Sequence, residues 1–267
     1  GVLIESQMIA LAGWMRENYG GTMNHALKTV LPVKEKKKAK EQKTIRLALH
    51  PVEAKNELAE CERKHKTARA KLLVALLEQR ELEWETATQQ MNEEQQNVVS
   101  KITMEYDAGE RKTYLIKGVT GSGKTEVYME LIAHVLAQGK QAIVLIPEIA
   151  LTYQTVRRFY NRFGAQVSII NSKLSAGERY DQFERAKNGE ISVMIGPRSA
   201  LFTPFPALGI IIIDEEHEAS YKSETVPRYH ARETAIQRAK MTDAVVVLGS
   251  ATPSLESYYK AENDEYC

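Results

Sequence analysis

Cysteine is scarce in this chain of 267 residues: Cys61 and Cys267 are the two it has. They lie far apart and form no Cys-x-x-Cys spacing, so neither a disulfide framework nor a zinc site is indicated, and a reducing cytoplasm is the simplest setting. Aromatic residues make up 7% of the chain, and no apolar run is long enough to span a bilayer, which removes a membrane partner. The apolar start, Val2 to Met15, is broken by Glu5 and Gln7 and lacks a basic leader and a cleavage signal. It reads as an amphipathic helix and not as a targeting peptide. Gly1 stands where methionine is expected, and neither end carries a clear capping element. The expectation is a piece of a longer protein.

Charge of one sign is also lacking, since the net charge is +1, but the balance hides segregation. Residues 34 to 71 hold thirteen Lys or Arg against six Glu, a local charge of +7. Such a block suits an anionic partner such as nucleic acid, and equally suits a solvated helical linker; alone it decides nothing. With 43% hydrophobic residues the chain can still bury a core.

Three stretches follow. Residues 2 to 32 contain the amphipathic helix, a Gly20-Gly21 break and a short apolar run ending at Pro32, too little for a core of their own. From 34 to about 90 the pattern is helical and charged, with its densest apolar stripe at Leu72, Leu73, Leu76 and Leu77. From about Met91 apolar strands alternate with amphipathic helices, which predicts an α/β fold: a parallel sheet with helices on both faces, preceded by a mostly helical, basic segment. Strands are expected at 114 to 117, 142 to 146, 167 to 170, 192 to 195, 210 to 213 and 244 to 248. Ser175-Ala176-Gly177-Glu178 is a capping box that opens one of the helices.

Gly118-Val119-Thr120-Gly121-Ser122-Gly123-Lys124-Thr125 is a complete G-x-x-x-x-G-K-T phosphate loop between a strand and a helical pattern. It makes ATP with Mg²⁺ the expected ligand. Gly118, Gly121, Ser122 and Gly123 let backbone amides converge on phosphate, Lys124 reaches its oxygens, and Thr125 offers a hydroxyl to magnesium. Ninety residues later Ile210-Ile211-Ile212-Ile213 runs into Asp214-Glu215-Glu216-His217, a buried strand delivering carboxylates at its end. In that place Asp214 would hold magnesium and Glu215 would activate the attacking water, with Glu216 structural. An acidic cluster after a strand can also be a solvated turn; the phosphate loop tips the reading toward a nucleotide site.

The D-E-x-H pattern resembles the second motif of superfamily 2 helicases and translocases, a group of P-loop NTPases with RecA-like lobes. Leu248-Gly249-Ser250-Ala251-Thr252-Pro253 looks like that superfamily's S-A-T motif, which links hydrolysis to strand movement; His217 would contact it, making His217, Ser250 and Thr252 the coupling residues. Pro147-Glu148-Ile149-Ala150-Leu151-Thr152 and Gly196-Pro197-Arg198-Ser199-Ala200 look like elements that grip the nucleic-acid backbone, so Pro147, Thr152, Arg198 and Ser199 become candidate DNA contacts. Asn92-Glu93-Glu94-Gln95 occupies the place of the glutamine motif, with Gln95 offering its amide to adenine. Together G-V-T-G-S-G-K-T, P-E-I-A-L-T, G-P-R-S-A-L-F, D-E-E-H and G-S-A-T-P-S are similar to the replication-restart helicases of the PriA family (primosomal protein N′), over residues 91 to 262.

That resemblance implies an ATP-dependent 3′–5′ DNA helicase acting at stalled or abandoned forks in the bacterial, nucleoid-associated cytoplasm. Its implied partners are single-stranded and forked DNA, single-stranded DNA-binding protein and helicase-loading primosome proteins. It also divides the chain. Residues 1–33 would be the tail of an N-terminal DNA-binding domain, 34–90 a connector or shortened winged-helix region, and 91–267 the first RecA-like helicase lobe. The family's second lobe, with its arginine finger, and its cysteine-rich zinc region would lie past the last residue, so hydrolysis by this chain alone is expected to be poor. Pro197 stands where the family more often has Thr, which removes a backbone donor. After D-E-E-H the family has an aromatic-rich loop reporting bound strand to the ATP site. Here Tyr221, Lys222, Arg228, Tyr229 and Arg232 interleave aromatic and basic residues, and the two tyrosines could stack bases or merely cover the sheet edge. Two other functions stay open: an ATP- and DNA-binding module without turnover, and a P-loop kinase or switch.

Overall fold

The computed structural model describes residues 2–31, 59, 91–119 and 121–267. The calls made on the basic connector and on Thr120 lie outside these residues. One compact unit contains the N-terminal helices and everything from Met91 onward.

Its frame is a six-stranded parallel sheet in the order β1-β6-β5-β2-β4-β3. The strands are β1 (Thr113–Lys117), β2 (Gln141–Leu145), β3 (Val167–Ile169), β4 (Val193–Gly196), β5 (Leu208–Ile213) and β6 (Val245–Ser250). All six expected strands are present. Continuous apolar runs such as Ile210 to Ile213 form because helices cover both faces, leaving no polar side to alternate with. Ile143, Leu145, Ile211, Ile213, Val246 and Leu248 point into one core, and Val144, Ile210, Ile212, Val245 and Val247 into the other.

The first face is covered by α1 (Val2–Tyr19), α2 (Met23–Val30), α6 (Ala176–Lys187) and α7 (Ala231–Thr242). On α1 the buried residues Ile4, Met8, Leu11, Ala12 and Met15 recur at three- and four-residue steps, a single stripe. Gly20 and Gly21, at φ 73° and 88°, turn the chain into α2, where Thr22 caps the helix by accepting the His25 N–H. The two helices cannot bury their stripes against each other alone. They complete the core of the sheet instead, within the same unit as the α/β region.

The second face carries α3 (Glu93–Asp107), α4 (Lys124–Ala137) and α5 (Tyr153–Phe163). A last helix, α8 (Leu255–Glu262), follows β6. The Ser175–Glu178 capping box is formed, both partners exchanging backbone bonds. Among the described residues no helix is long and apolar enough to cross a membrane.

Candidate nucleotide and nucleic-acid site

Every strand points its carboxyl end the same way, so the segments following β1, β2, β4, β5 and β6 gather along one edge of the sheet. The phosphate loop leaves β1 there. Gly121 and Gly123 have φ of 82° and 80°, a left-handed backbone open to glycine. A Cβ on Gly123 would sit 2.1 Å from the Gln95 side-chain nitrogen and one on Gly118 2.6 Å from the Ser122 hydroxyl, so a side chain at either position would displace its neighbour. No side chain caps α4 at Gly123, which leaves its first amides pointing outward for an anion. The buried Lys124 ammonium donates to the Gly118 carbonyl at 2.6 Å, and half-buried Thr125 follows it in the first turn. This loop fits a nucleotide phosphate chain.

Across from the loop, β5 delivers Asp214 and Glu215. Glu215 takes φ 47°, a conformation that costs a non-glycine residue on the order of 1 kcal/mol and persists because the surroundings fix it. Its carboxylate lies 4.0 Å from Lys124 Nζ and 3.7 Å from His217 Nδ1. Asp214 accepts the Tyr128 hydroxyl at 2.9 Å. Burial raises the Asp214 pKa, and the hydrogen bond from Tyr128 partly offsets that.

His217 Nδ1 and Ser250 Oγ are 2.6 Å apart, and Ser250 Oγ accepts the Thr252 N–H at 3.0 Å. The three candidate coupling residues therefore form one chain of contacts between the ends of β5 and β6. Gln95 is engaged at both ends: its Oε1 accepts the Asn92 N–H at 2.9 Å, and its Nε2 donates to the Ser122 carbonyl at 2.7 Å. It props the phosphate loop. Each end has used one of its two hydrogen-bonding positions.

Several expected nucleic-acid contacts turn out to be structural. Tyr221 is 1% exposed and donates to the Leu145 and Asp214 carbonyls at 3.0 and 2.6 Å. Tyr229 is 4% exposed and packs edge-on against Phe202. Neither offers a face for stacking; burying a phenol in an apolar wall gains more than leaving it in a loop. Arg232 is also buried, donating to Glu216 at 3.0 Å, Glu233 at 2.9 Å, Glu256 at 2.5 Å and the Ser254 and Ser257 hydroxyls. A guanidinium buried among three carboxylates and two hydroxyls is turned away from solvent, where a phosphate would have to meet it. Arg198 donates to the Ser220 and Lys222 carbonyls at 2.8 and 2.6 Å, pinning the loop that follows β5. Exposed Thr152 caps α5 by accepting the Thr155 N–H, Pro147 is buried at the end of β2, and Ser199 is half-buried. Lys222 and Arg228 are exposed on the loop.

The reading from sequence missed Tyr128, one turn after Lys124 on the same face of α4. That spacing is the signal that could have found it. It also left the partners of Glu216 unnamed. This buried carboxylate accepts Ser254 N at 2.6 Å, both Ser254 and Ser257 hydroxyls, and Arg232, which ties the end of β5 to the start of α8.

Comparison with known proteins decides the family. The model of the family described as "Type III restriction enzyme, res subunit" matches residues 88–255. The chain belongs to that family. Within it, the chain resembles replication restart protein PriA: it is 53% identical to the Bacillus subtilis (strain 168) protein over 176 residues, covering 66% of this chain and 22% of that one. The Chlamydia pneumoniae PriA is 48% identical over 181 residues, 67% of this chain and 24% of that protein. The chain thus spans roughly a quarter of the length of these relatives. Among solved structures, one entitled "Structure of RecG bound to three-way DNA junction" superposes with a TM-score of 0.51 at 22% identity, over 70% of this chain and 24% of that one. This res-subunit chain shares with it the RecA-like fold.

Proposed function

We propose that this chain is the ATP-binding lobe of an ATP-dependent 3′–5′ DNA helicase of replication restart, which assembles a primosome at stalled or abandoned forks. The reading is supported above all by the meeting of Lys124 and Glu215, 4.0 Å apart, at the carboxyl ends of β1 and β5. A phosphate loop facing a strained carboxylate is the arrangement that phosphoryl transfer to water needs.

In this reading Gly118, Gly121, Ser122 and Gly123 cradle ATP with their amides, and Lys124 turns from the Gly118 carbonyl to the outer phosphates. Thr125 and Asp214 would hold Mg²⁺, which when bound neutralises charge on the phosphate oxygens. Glu215 orients a water and accepts its proton, while Lys124 steadies the charge that develops. His217 and Ser250 carry the change at Glu215 to Thr252, on the segment that leads into α8. DNA is bound along the carboxyl edge, with Lys222, Arg228, Thr152 and Ser199 as backbone contacts and no readout of sequence. Single-stranded DNA-binding protein and helicase loaders are the partners that PriA-like restart would require, in a bacterial cytoplasm beside the nucleoid.

Phosphate release measured with and without forked DNA, for this chain and for the chain joined to a second RecA-like lobe, tests the proposal. We expect DNA-stimulated release from the two-lobed protein that disappears in Lys124→Ala. Binding of ATP and DNA with no release from either form would make the chain a non-hydrolysing module. Release indifferent to DNA would point to a P-loop switch.

A further inference from the structure

A pocket of about 250 Å³ opens between α2 and α6, away from the phosphate loop. Lys28 and Thr29 of α2, Arg179 and Tyr180 of α6, and Ser199 after β4 line it. Most half-buried or buried guanidiniums of this protein have acceptors: Arg158 has Glu126, Arg198 two carbonyls, Arg232 three carboxylates, and Arg238 the Leu201 and Thr203 carbonyls. Arg179 differs. Its Nε is buried and donates to nothing. Two carboxylates that could have closed on it are held elsewhere, since Glu178 completes the capping box with Ser175 and Glu148 accepts from Ser172. Glu148 still feels Arg179, because its pKa is lowered chiefly by the Ser172 bonds and further by Lys173 and Arg179.

A buried cationic donor without an acceptor is costly, and native structures seldom leave one without a ligand or water to meet it. Arg179 lines the pocket together with Lys28, Thr29, Tyr180 and Ser199 and with the apolar Leu31, Ala176 and Phe183. Cations and hydroxyls around one cavity suit a tetrahedral oxyanion, with the planar fork of arginine on one side.

We propose that this pocket binds a backbone phosphate of a nucleic-acid strand, held by Arg179 and Lys28. The proposal rests on the DNA-binding reading above. It adds to that reading a contact made by α2 and α6, helices that carry none of the helicase-like motifs. A strand is favoured over a free phosphate because Ser199 places the pocket at the carboxyl edge of β4, beside the segment proposed to follow the DNA backbone.

The test titrates the 267-residue chain with a fluorescein-labelled single-stranded oligonucleotide, read by anisotropy between about 50 and 200 mM salt. Arg179→Gln should weaken binding roughly 3- to 10-fold at low salt and lower the slope of log affinity against log salt by about 0.7, the value for one single-strand phosphate contact. Lys28→Gln, at an exposed position, should shift both in the same direction. Binding of a fluorescent ATP analogue should stay at parental values in both variants, and neither should melt lower than the parent. If Arg179→Gln melts lower, the exposed Lys28→Gln variant decides. Parental affinity and slope in the variants overturn the pocket while leaving the DNA-binding reading intact; no oligonucleotide binding by the parent removes both. Inorganic phosphate that raises the parent's melting temperature through Arg179, with oligonucleotide affinity unchanged in the variants, also overturns the proposal in favour of a free-phosphate site.

Discussion

The hydroxyl of Tyr128 donates to Asp214 across 2.9 Å while pressing so close to Gly249 that a Cβ there would lie 1.6 Å from it. A single phenol thus links the helix of the phosphate loop, the carboxylate at the end of β5 and the strand leading to Ser250. Gly249 is fixed by this contact. Tyr128→Phe keeps the ring and removes the bond, so a buried carboxylate loses a donor that held its pKa down. We expect the fold to survive, with magnesium-dependent affinity for a fluorescent ATP analogue falling about 3- to 10-fold, or about 1 kcal/mol, and more steeply toward acid pH than in the parent. Calorimetric titration of the magnesium nucleotide at several pH values measures this.

Asp214 itself should be a case of stability given up for function. Its folded-state pKa is raised by burial, so the folded protein holds this proton more tightly than the unfolded chain does. Stability from this group is therefore undiminished below the unfolded pKa, falls as pH rises through the window up to the folded pKa, and stays reduced above it. Asp214→Asn removes the ionised form while keeping an oxygen for Tyr128. At neutral pH without nucleotide it should melt roughly 2 to 4 °C higher, for a gain of about 1 kcal/mol, and the gain should vanish in acid. The same variant should lose magnesium-dependent nucleotide binding. A melting temperature at or below the parent's would show that the buried carboxylate is not under strain.

The Glu216–Arg232 pair separates structural from nucleic-acid roles. Arg232→Met strands a buried carboxylate and should cost about 3 to 5 kcal/mol in urea unfolding, whereas Glu216→Gln with Arg232→Met together should recover much of it. Were Arg232 a phosphate contact instead, the single variant would unfold like the parent and show a shallower salt dependence of DNA binding.

How much of this was legible beforehand follows from the kind of physics involved. The six strands were readable because a parallel strand covered on both faces leaves an unbroken apolar run, as Ile210 to Ile213 does. Lys124, Asp214, Glu215 and the His217–Ser250 contact were readable because a motif of fixed spacing has a fixed place at the end of a strand. The loop after β5 misled because tyrosine and arginine are ambiguous residues. Composition alone does not tell whether a phenol stacks a base or caps two carbonyls, and only the arrival of Leu145 and Asp214 over Tyr221 settles it. Helices α1 and α2 posed a similar difficulty. Their stripes announce a partner surface without saying which one, and the sheet core was found only in three dimensions.

That ambiguity gives the last prediction. Lys222 and Arg228 are exposed on the same loop that buries Tyr221 and Tyr229. If the loop meets DNA, it does so through charge, so Lys222→Ala and Arg228→Ala should each weaken single-strand binding about 2- to 5-fold at low salt, uniformly over sequences, and each reduce the salt slope by about 0.7. Neither should change stability by more than about 0.5 to 1 kcal/mol, because both side chains are exposed and the one packing contact is that of the Lys222 ammonium over the Tyr19 ring, at 5.2 Å. Tyr221→Phe should behave in the opposite way. It removes the hydroxyl from the Asp214 carbonyl, while the Leu145 carbonyl keeps the Asp214 N–H, and should cost about 1 to 2 kcal/mol of stability with the salt slope unchanged. Anisotropy titrations paired with urea unfolding on all three variants make the comparison, and a fall in the salt slope for Tyr221→Phe with unaltered stability would return that tyrosine to the DNA.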